Sequence, residues 1–210
     1  MAANSLTAEM VLRWMQNCAD TFDAHKDELT QLDAAIGDAD HGANMARGFS
    51  AVKGKLADLK SKDIGAIFKG VAMTLISTVG GASGPLYGTF FLQAANGANG
   101  KNELTHQEVA SVFAAGLQGL VNRGKAAVGE KTMVDALVPA IDALKPSGNG
   151  SLTDALGRAV AAAKKGADST VPLVAKKGRA SYLGERSAGH MDPGASSSVL
   201  LLEALRKAVG

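Results

Sequence analysis

Apolar residues recur every three or four positions along almost the whole chain, and this period constrains the fold more than any other feature. Val11, Trp14, Met15, Cys18 and Phe22 form one stripe; Val109, Val112, Phe113, Leu117, Leu120 and Val121 form another. Such spacing is one face of an α-helix. Start signals agree, since Thr7-Ala-Glu-Met, Thr105-His-Gln-Glu and Ser151-Leu-Thr-Asp each place a capping hydroxyl ahead of an acid. Hydrophobic residues make up 46% of the chain and aromatics only 4%, so Ala, Val, Leu and Met must build the core. That balance favours closely packed helices over a sheet. Helices are expected over about 7–28, 42–58, 63–78, 85–98, 105–123, 132–145, 151–175 and 193–209. No alternating segment competes for a strand.

At 210 residues one domain spanning 1–210 is expected, long enough to bury a real core. A formal charge of +2, spread along the chain, gives no argument for nucleic acid. The one local cluster, Lys176-Lys177-Gly178-Arg179, reads either as a phosphate contact or as a solvated helix end. Cys18 is the only cysteine, so no internal disulfide exists, and its apolar neighbours point to core packing in a reducing compartment. The N-terminus lacks a basic stretch followed by an apolar run, and no segment is apolar for long enough to span a bilayer. A cytosolic protein is expected.

The connections fall into two kinds. Those after the second, fourth and sixth expected helices are bland: Lys60-Ser-Lys-Asp63, Gly97-Ala-Asn-Gly-Lys-Asn102 and Pro146-Ser-Gly-Asn-Gly150. Those after the first, third, fifth and seventh are glycine-rich and polar. They are Asp33 to Gly42, Gly80 to Gly84, Arg123 to Thr132, and Gly178 to Gly194. Short connections make consecutive helices antiparallel neighbours, so all four unusual loops should emerge at one rim.

Their residues carry recognisable chemistry. Asp33, Asp38 and Asp40 fall within eight residues, the last two between glycines. Carboxylates are the hard ligands Mg²⁺ needs, and three exceed what one such ion takes, which points to a pair of ions on a phosphate chain. The alternative is a polar interhelical turn. Gly80-Gly-Ala-Ser-Gly-Pro85 offers uncluttered N–H groups at a helix start, a cradle for an anion or a plain turn. Gly124 to Gly129 has half the spacing of a P-loop, but Glu130 intrudes before Lys131-Thr132 and no strand precedes it. Gly124 and Met133 could flank a nucleobase, or Met133 could be core. Arg179 suits a phosphate by its planar, permanently charged fork. Asp192 before Pro193 reads as an N-cap. His41 and His190 read as ligands, acid–base groups or structural hydrogen bonders, whereas His25 and His106 sit on polar helix faces.

Four segments together carry a resemblance. Gly37-Asp-Ala-Asp-His-Gly42, Val79-Gly-Gly-Ala-Ser-Gly-Pro-Leu-Tyr-Gly-Thr-Phe-Phe91, Lys177-Gly-Arg-Ala-Ser-Tyr-Leu-Gly-Glu-Arg-Ser187 and Gly189-His-Met-Asp-Pro-Gly194 resemble the DhaL family. These are the nucleotide-binding subunits of bacterial dihydroxyacetone kinases, and the resemblance covers almost the whole chain. It implies an all-α fold of eight antiparallel helices in an up-down barrel, with ADP and two Mg²⁺ at one rim. It also implies metal binding by Asp33, Asp38 and Asp40. Nucleotide contacts are implied for His41, Gly42, Ala43, Asn44, Ala82, Ser83, Gly124, Met133, Arg179, Asp192, Pro193 and Gly194. Arg179 is the implied catalytic residue. In the phosphotransferase-type members, bound ADP is recharged to ATP by a phosphohistidine carrier, and the phosphoryl passes to dihydroxyacetone on a partner subunit. The expectations left beside it are an ATP-dependent kinase exchanging free nucleotide and an ADP-loaded module reporting to a transcription factor.

Overall fold

The computed structural model describes residues 3–146 and 150–210. Residues 147–149 of the connection expected to be bland, and the first two of the N-terminal segment, lie outside the described residues.

Nine α-helices follow one another among the described residues. They are α1 (Ala8–Ala24), α2 (Lys26–Ile36), α3 (His41–Leu59), α4 (Ile64–Thr78), α5 (Ser83–Gly97), α6 (His106–Gly124), α7 (Met133–Ala143), α8 (Leu152–Ser169) and α9 (Pro193–Val209). The start signals act as expected. Thr7 accepts from the Met10 N–H, and Thr105 with Glu108 and Ser151 with Asp154 form reciprocal capping boxes. Each helix from α3 onward packs on the next in chain order, and α9 returns against α1, which packs on α3 and closes the ring. Eight helices thus make the barrel, and α2 is a shorter ninth lying across α3 and α9.

The first expected helix, about 7–28, is two helices that part at His25 (φ −102, ψ 13). The cause is legible in the stripe. After Phe22 the next inward positions are His25 and Lys26, so the buried face shifts to Leu29, Asp33 and Ile36 on a re-aimed α2. The seventh expected helix ends at Ser169 instead of about residue 175, shortly before Pro172, which lacks an N–H to continue it. Beyond it, Arg179–Ser187 forms a 3₁₀ segment kinked at Gly184. The strand pairing among the described residues is a ribbon of β1 (Ser5–Thr7) and β2 (Glu103–Thr105), too short for alternation to reveal.

The few aromatics are concentrated. The Trp14 ring meets Phe68 of α4, Phe91 of α5 and Phe113 of α6 at centroid distances of 6.1, 5.5 and 5.7 Å. Its Nε1–H donates to Leu201 O of α9 at 2.9 Å, so one side chain joins five helices. Cys18 is buried in the same core, and burial pushes its thiol well above the ordinary range.

The two ends of the barrel differ. At one, the α3–α4 and α5–α6 connections bond to each other, Ile64 N–H to Lys101 O at 2.8 Å and Gly65 N–H to Ala98 O at 3.1 Å. The ribbon and the Ala8 N–H to Asn102 O bond of 2.9 Å complete this seal. At the other end all four glycine-rich connections line one cavity of ≈ 390 Å³.

Candidate functional site

Asp33 lies in the last turn of α2, and its burial beside Leu29 and Ile36 makes it a carboxylate on an apolar face. Its Oδ2 accepts the backbone N–H groups of Asp40 at 2.9 Å and His41 at 3.1 Å. In effect it caps the start of α3, whose own N-cap residue makes no side-chain bond. Gly37 has no room for a Cβ, which would run into the Asp33 carboxylate. Ala39 takes φ 61, a left-handed conformation that costs a non-glycine residue about 1 kcal/mol. This turn brings Asp38 and Asp40 back toward Asp33, and one carboxylate oxygen from each of the three lies within 4.8 Å of the others. A donor set of three hard carboxylate oxygens fits Mg²⁺. Arg179 Nε meets Asp38 Oδ2 at 3.0 Å, so the fourth loop reaches the first across the cavity mouth.

Opposite the aspartates, Gly80, Gly81 (φ 63), Ala82 and Ser83 open α5, where Ala82 offers no side-chain cap. The N–H groups of this helix start therefore remain available to an anion. Leu86, Leu120, Gly124 and Met133 line the apolar part of the same cavity. Met133 is 5% exposed, so it serves the core and the cavity wall together. Asp192, Pro193 and Gly194 line it from the start of α9, where Asp192 accepts from Ala195 N–H at 2.7 Å. Burial pushes the Asp192 carboxyl up to about 7, against the Ala195 hydrogen bond and the Lys131 charge.

Of the residues expected at the site, Asp33, Asp38, Asp40, His41, Ala82, Ser83, Gly124, Met133, Arg179, Asp192, Pro193 and Gly194 are brought to this cavity. Gly42, Ala43 and Asn44 do not line it. Gly42 lies against the Lys26 carbonyl and Thr30 of α2, with no space for a Cβ, and Asn44 Oδ1 accepts from Arg47 at 2.5 Å. His190 is exposed, and its carbonyl accepts from Lys131.

Two features, Lys131 and Asp135, escaped the sequence, and the hydrogen bonding read as one possibility for His41 is present. Lys131 (φ 62) is buried with its ammonium donating to the carbonyls of Thr170, at 2.5 Å, and His190. It thereby ties the third loop to the segments carrying Arg179 and Asp192. Burial lowers its pKa, while Asp192 and Asp135 oppose the shift. Asp135 caps the same loop, accepting from Gly129 N–H at 2.5 Å and Thr132 N–H at 2.8 Å. His41 sits between Ser197 Oγ (2.9 Å to Nε2) and Ser83 Oγ (3.1 Å to Nδ1), and burial lowers its pKa, favouring a neutral ring. The Thr132 N-cap followed three residues later by Asp135 was the one readable signal.

A helical barrel with a carboxylate-lined cavity at one rim is the class of protein these features define. A profile of the DAK2 domain matches residues 35–207, and the chain belongs to that family. It is 48% identical over 203 residues to the ADP-binding subunit DhaL of the PEP-dependent dihydroxyacetone kinase of Escherichia coli, covering 96% of this chain and 97% of that one. It is 45% identical over 197 residues to the corresponding subunit of kinase 1 of Listeria innocua, with 94% of each covered. The solved dihydroxyacetone kinase of C. freundii in complex with AMP-PNP and Mg²⁺ superposes with a TM-score of 0.72 at 28% identity. That match covers 94% of this chain and 33% of the larger one.

Proposed function

We propose that this chain is the ADP-binding subunit of a phosphoenolpyruvate-dependent dihydroxyacetone kinase. One observation carries the proposal: three clustered carboxylates face an uncapped helix start across a cavity with an apolar wall. Such a cavity fits a nucleotide, with its base against Leu86, Leu120 and Met133 and its phosphates between the aspartates and Ser83. Asp33, Asp38 and Asp40 would hold two Mg²⁺, which would supply charge neutralisation to the phosphate chain. Asp33 also fixes the start of α3, so the metal cluster and the His41 position are set together. Arg179, beside Asp38, steadies charge on the phosphate chain with its planar fork. No nucleophile is required of this chain, because phosphoryl transfer rests on positioning and electrostatics.

The near-complete mutual coverage with the E. coli and Listeria subunits supports the multisubunit form over a fused kinase exchanging free nucleotide. On this reading residues 1–210 act as one domain, dihydroxyacetone sits on a partner subunit, and a phosphohistidine carrier recharges the bound nucleotide. No helix among the described residues is long and apolar enough to cross a membrane, and a cytoplasmic place fits the lone buried thiol. The test is whether ADP copurifies through extensive dialysis, followed by dihydroxyacetone phosphate formation in a coupled assay with sugar-binding and carrier subunits. Protein free of nucleotide, or turnover only with excess free ATP, counts against the recharged-cofactor reading. Bound ADP without product would favour the regulatory module instead.

A further inference from the structure

Tyr87, one turn into α5, is buried in the core, and the site chemistry above makes no use of it. Its hydroxyl lies 2.8 Å from Ser197 Oγ and 3.1 Å from Ser198 Oγ, both fully buried on α9. Ser197 continues to His41 Nε2, and Nδ1 of the same ring meets Ser83 at the cavity wall. Both α9 serines also reach the Gly194 carbonyl, at 3.0 and 2.8 Å. A polar relay therefore runs from the core to the edge of the cavity.

The distances fix which atoms meet and leave the direction of each bond to hydrogen counting. Six contacts share five hydrogens, one on each of four hydroxyls and one on a neutral imidazole. Two arrangements satisfy the chain. In the inward one, Ser83 donates to Nδ1, the Nε2–H donates to Ser197, and Ser197 donates to Gly194 O. In the outward one, Tyr87 donates to Ser197, Ser197 to Nε2 and the Nδ1–H to Ser83. The Ser83 hydroxyl hydrogen is then released toward the cavity. Phosphate oxygens only accept, so the outward arrangement alone offers them this donor. Ser197 receives a hydrogen in that arrangement only from Tyr87, whereas in the inward one the imidazole supplies it.

We propose that Tyr87 is a positioning residue that biases this relay outward, so that Ser83 donates to a phosphate oxygen of the bound nucleotide. The inference rests on the reading of the cavity as a nucleotide site, and its test separates the two. Bound nucleotide is first stripped with EDTA, and rebinding of ADP with Mg²⁺ by the wild-type protein is measured by calorimetry; no rebinding by the folded, stripped protein overturns both readings. With ADP bound, nitrogen-15 NMR of histidine-labelled protein should show His41 as the Nδ1–H tautomer. An Nε2–H ring in the loaded wild type overturns the proposal alone, whether or not any variant folds. Tyr87→Phe should move the ring to Nε2–H and weaken ADP by about tenfold, the scale of one hydrogen bond to a charged group. That loss should vanish in a Ser83→Ala background, where no hydroxyl hydrogen remains to be directed. Equal losses in both backgrounds, or an unchanged tautomer in Tyr87→Phe, would assign Tyr87 to packing.

Discussion

The two ends of the barrel are built from similar residues, yet they use their polar groups in opposite ways. At the sealed end, carboxylates are consumed by their own surroundings. Asp63 accepts from Ala66 and Gly100 N–H groups at 3.0 and 3.2 Å, and Glu108 pairs with Lys101 at 2.6 Å. At the open end Asp33 and Asp38 are bonded too, to two N–H groups and to Arg179, but three carboxylates crowd within 4.8 Å of one another and the helix start at Ser83 has no side-chain cap. Saturated polar groups stabilise a connection, whereas unsaturated ones leave it able to bind. The alternation of bland and glycine-rich loops in the sequence is the imprint of that division.

The comparison breaks most visibly through matched substitutions. Asp38→Ala should lose bound ADP and Mg²⁺ together, by about two orders of magnitude in affinity, because phosphate charge would lack its counter-ions. Asp63→Ala at the sealed end should cost about 1 kcal/mol of stability, the value of an N-cap, and leave ADP content unchanged. If Asp38→Ala purifies with full ADP, the division between the ends is wrong. Next in size is ligand-linked stability. Mg²⁺-ADP at a thousandfold excess over its dissociation constant should add about 4 kcal/mol, so thermal unfolding in EDTA should fall well below that of the loaded form. Identical midpoints would move the nucleotide away from the rim. Arg179→Lys keeps the charge and loses the fork. Transfer to dihydroxyacetone should slow by about tenfold with most ADP retained, as rapid mixing with the sugar-loaded partner would measure. A wild-type rate would shift attention to Lys177, which also lines the cavity.

The smallest effect separates the ends by pH. Asp192 has a folded pKa raised to about 7, so its contribution favours the fold at low pH and is lost as pH rises through 7. Glu108 has a folded pKa lowered to about 2 by Lys101 and Thr105, so its contribution is present above the ordinary glutamate value and lost on acidification toward 2. Melting temperatures of the nucleotide-free protein should therefore decline from about pH 4, the ordinary aspartate value, to about pH 7 and level off above it. Asp192→Asn, which keeps an oxygen for Ala195 N–H, should flatten that decline and leave the acid limb unaltered. A decline that persists in the variant would place its origin elsewhere.

Much of this architecture is local and could be read from neighbours in the chain. The stripe on α6, the Thr105 and Ser151 caps and the crowding of three aspartates all depend on residues a few positions apart. Even the break at His25 leaves a trace, because Leu29, Asp33 and Ile36 share a face that the Val11–Phe22 stripe does not continue. The relay from Tyr87 to His41 leaves none, since Ser197 lies 156 positions from His41 and serine on a helix signals nothing. Lys131 was legible only as part of a failed P-loop. Its partners are backbone carbonyls of Thr170 and His190, and a carbonyl has no side-chain signature. Contacts made by hydrogen bonds between distant segments are set by the barrel, and appear only once it closes.

If the aspartate cluster holds metal as proposed, the left-handed turn at Ala39 bears on how it would meet its first cation. Three like charges drawn together would relax apart if the backbone between them were soft. A methyl-bearing residue held at φ 61 has few neighbouring conformations to escape to, so the turn is stiff as well as strained. Glycine there would relieve the strain and widen the range of shapes before loading. The work of crowding the carboxylates is thus done while the chain folds, and an arriving ion meets a finished set of oxygens. Metal capture at this rim should then be limited by shedding water from the ion rather than by rearrangement of the protein.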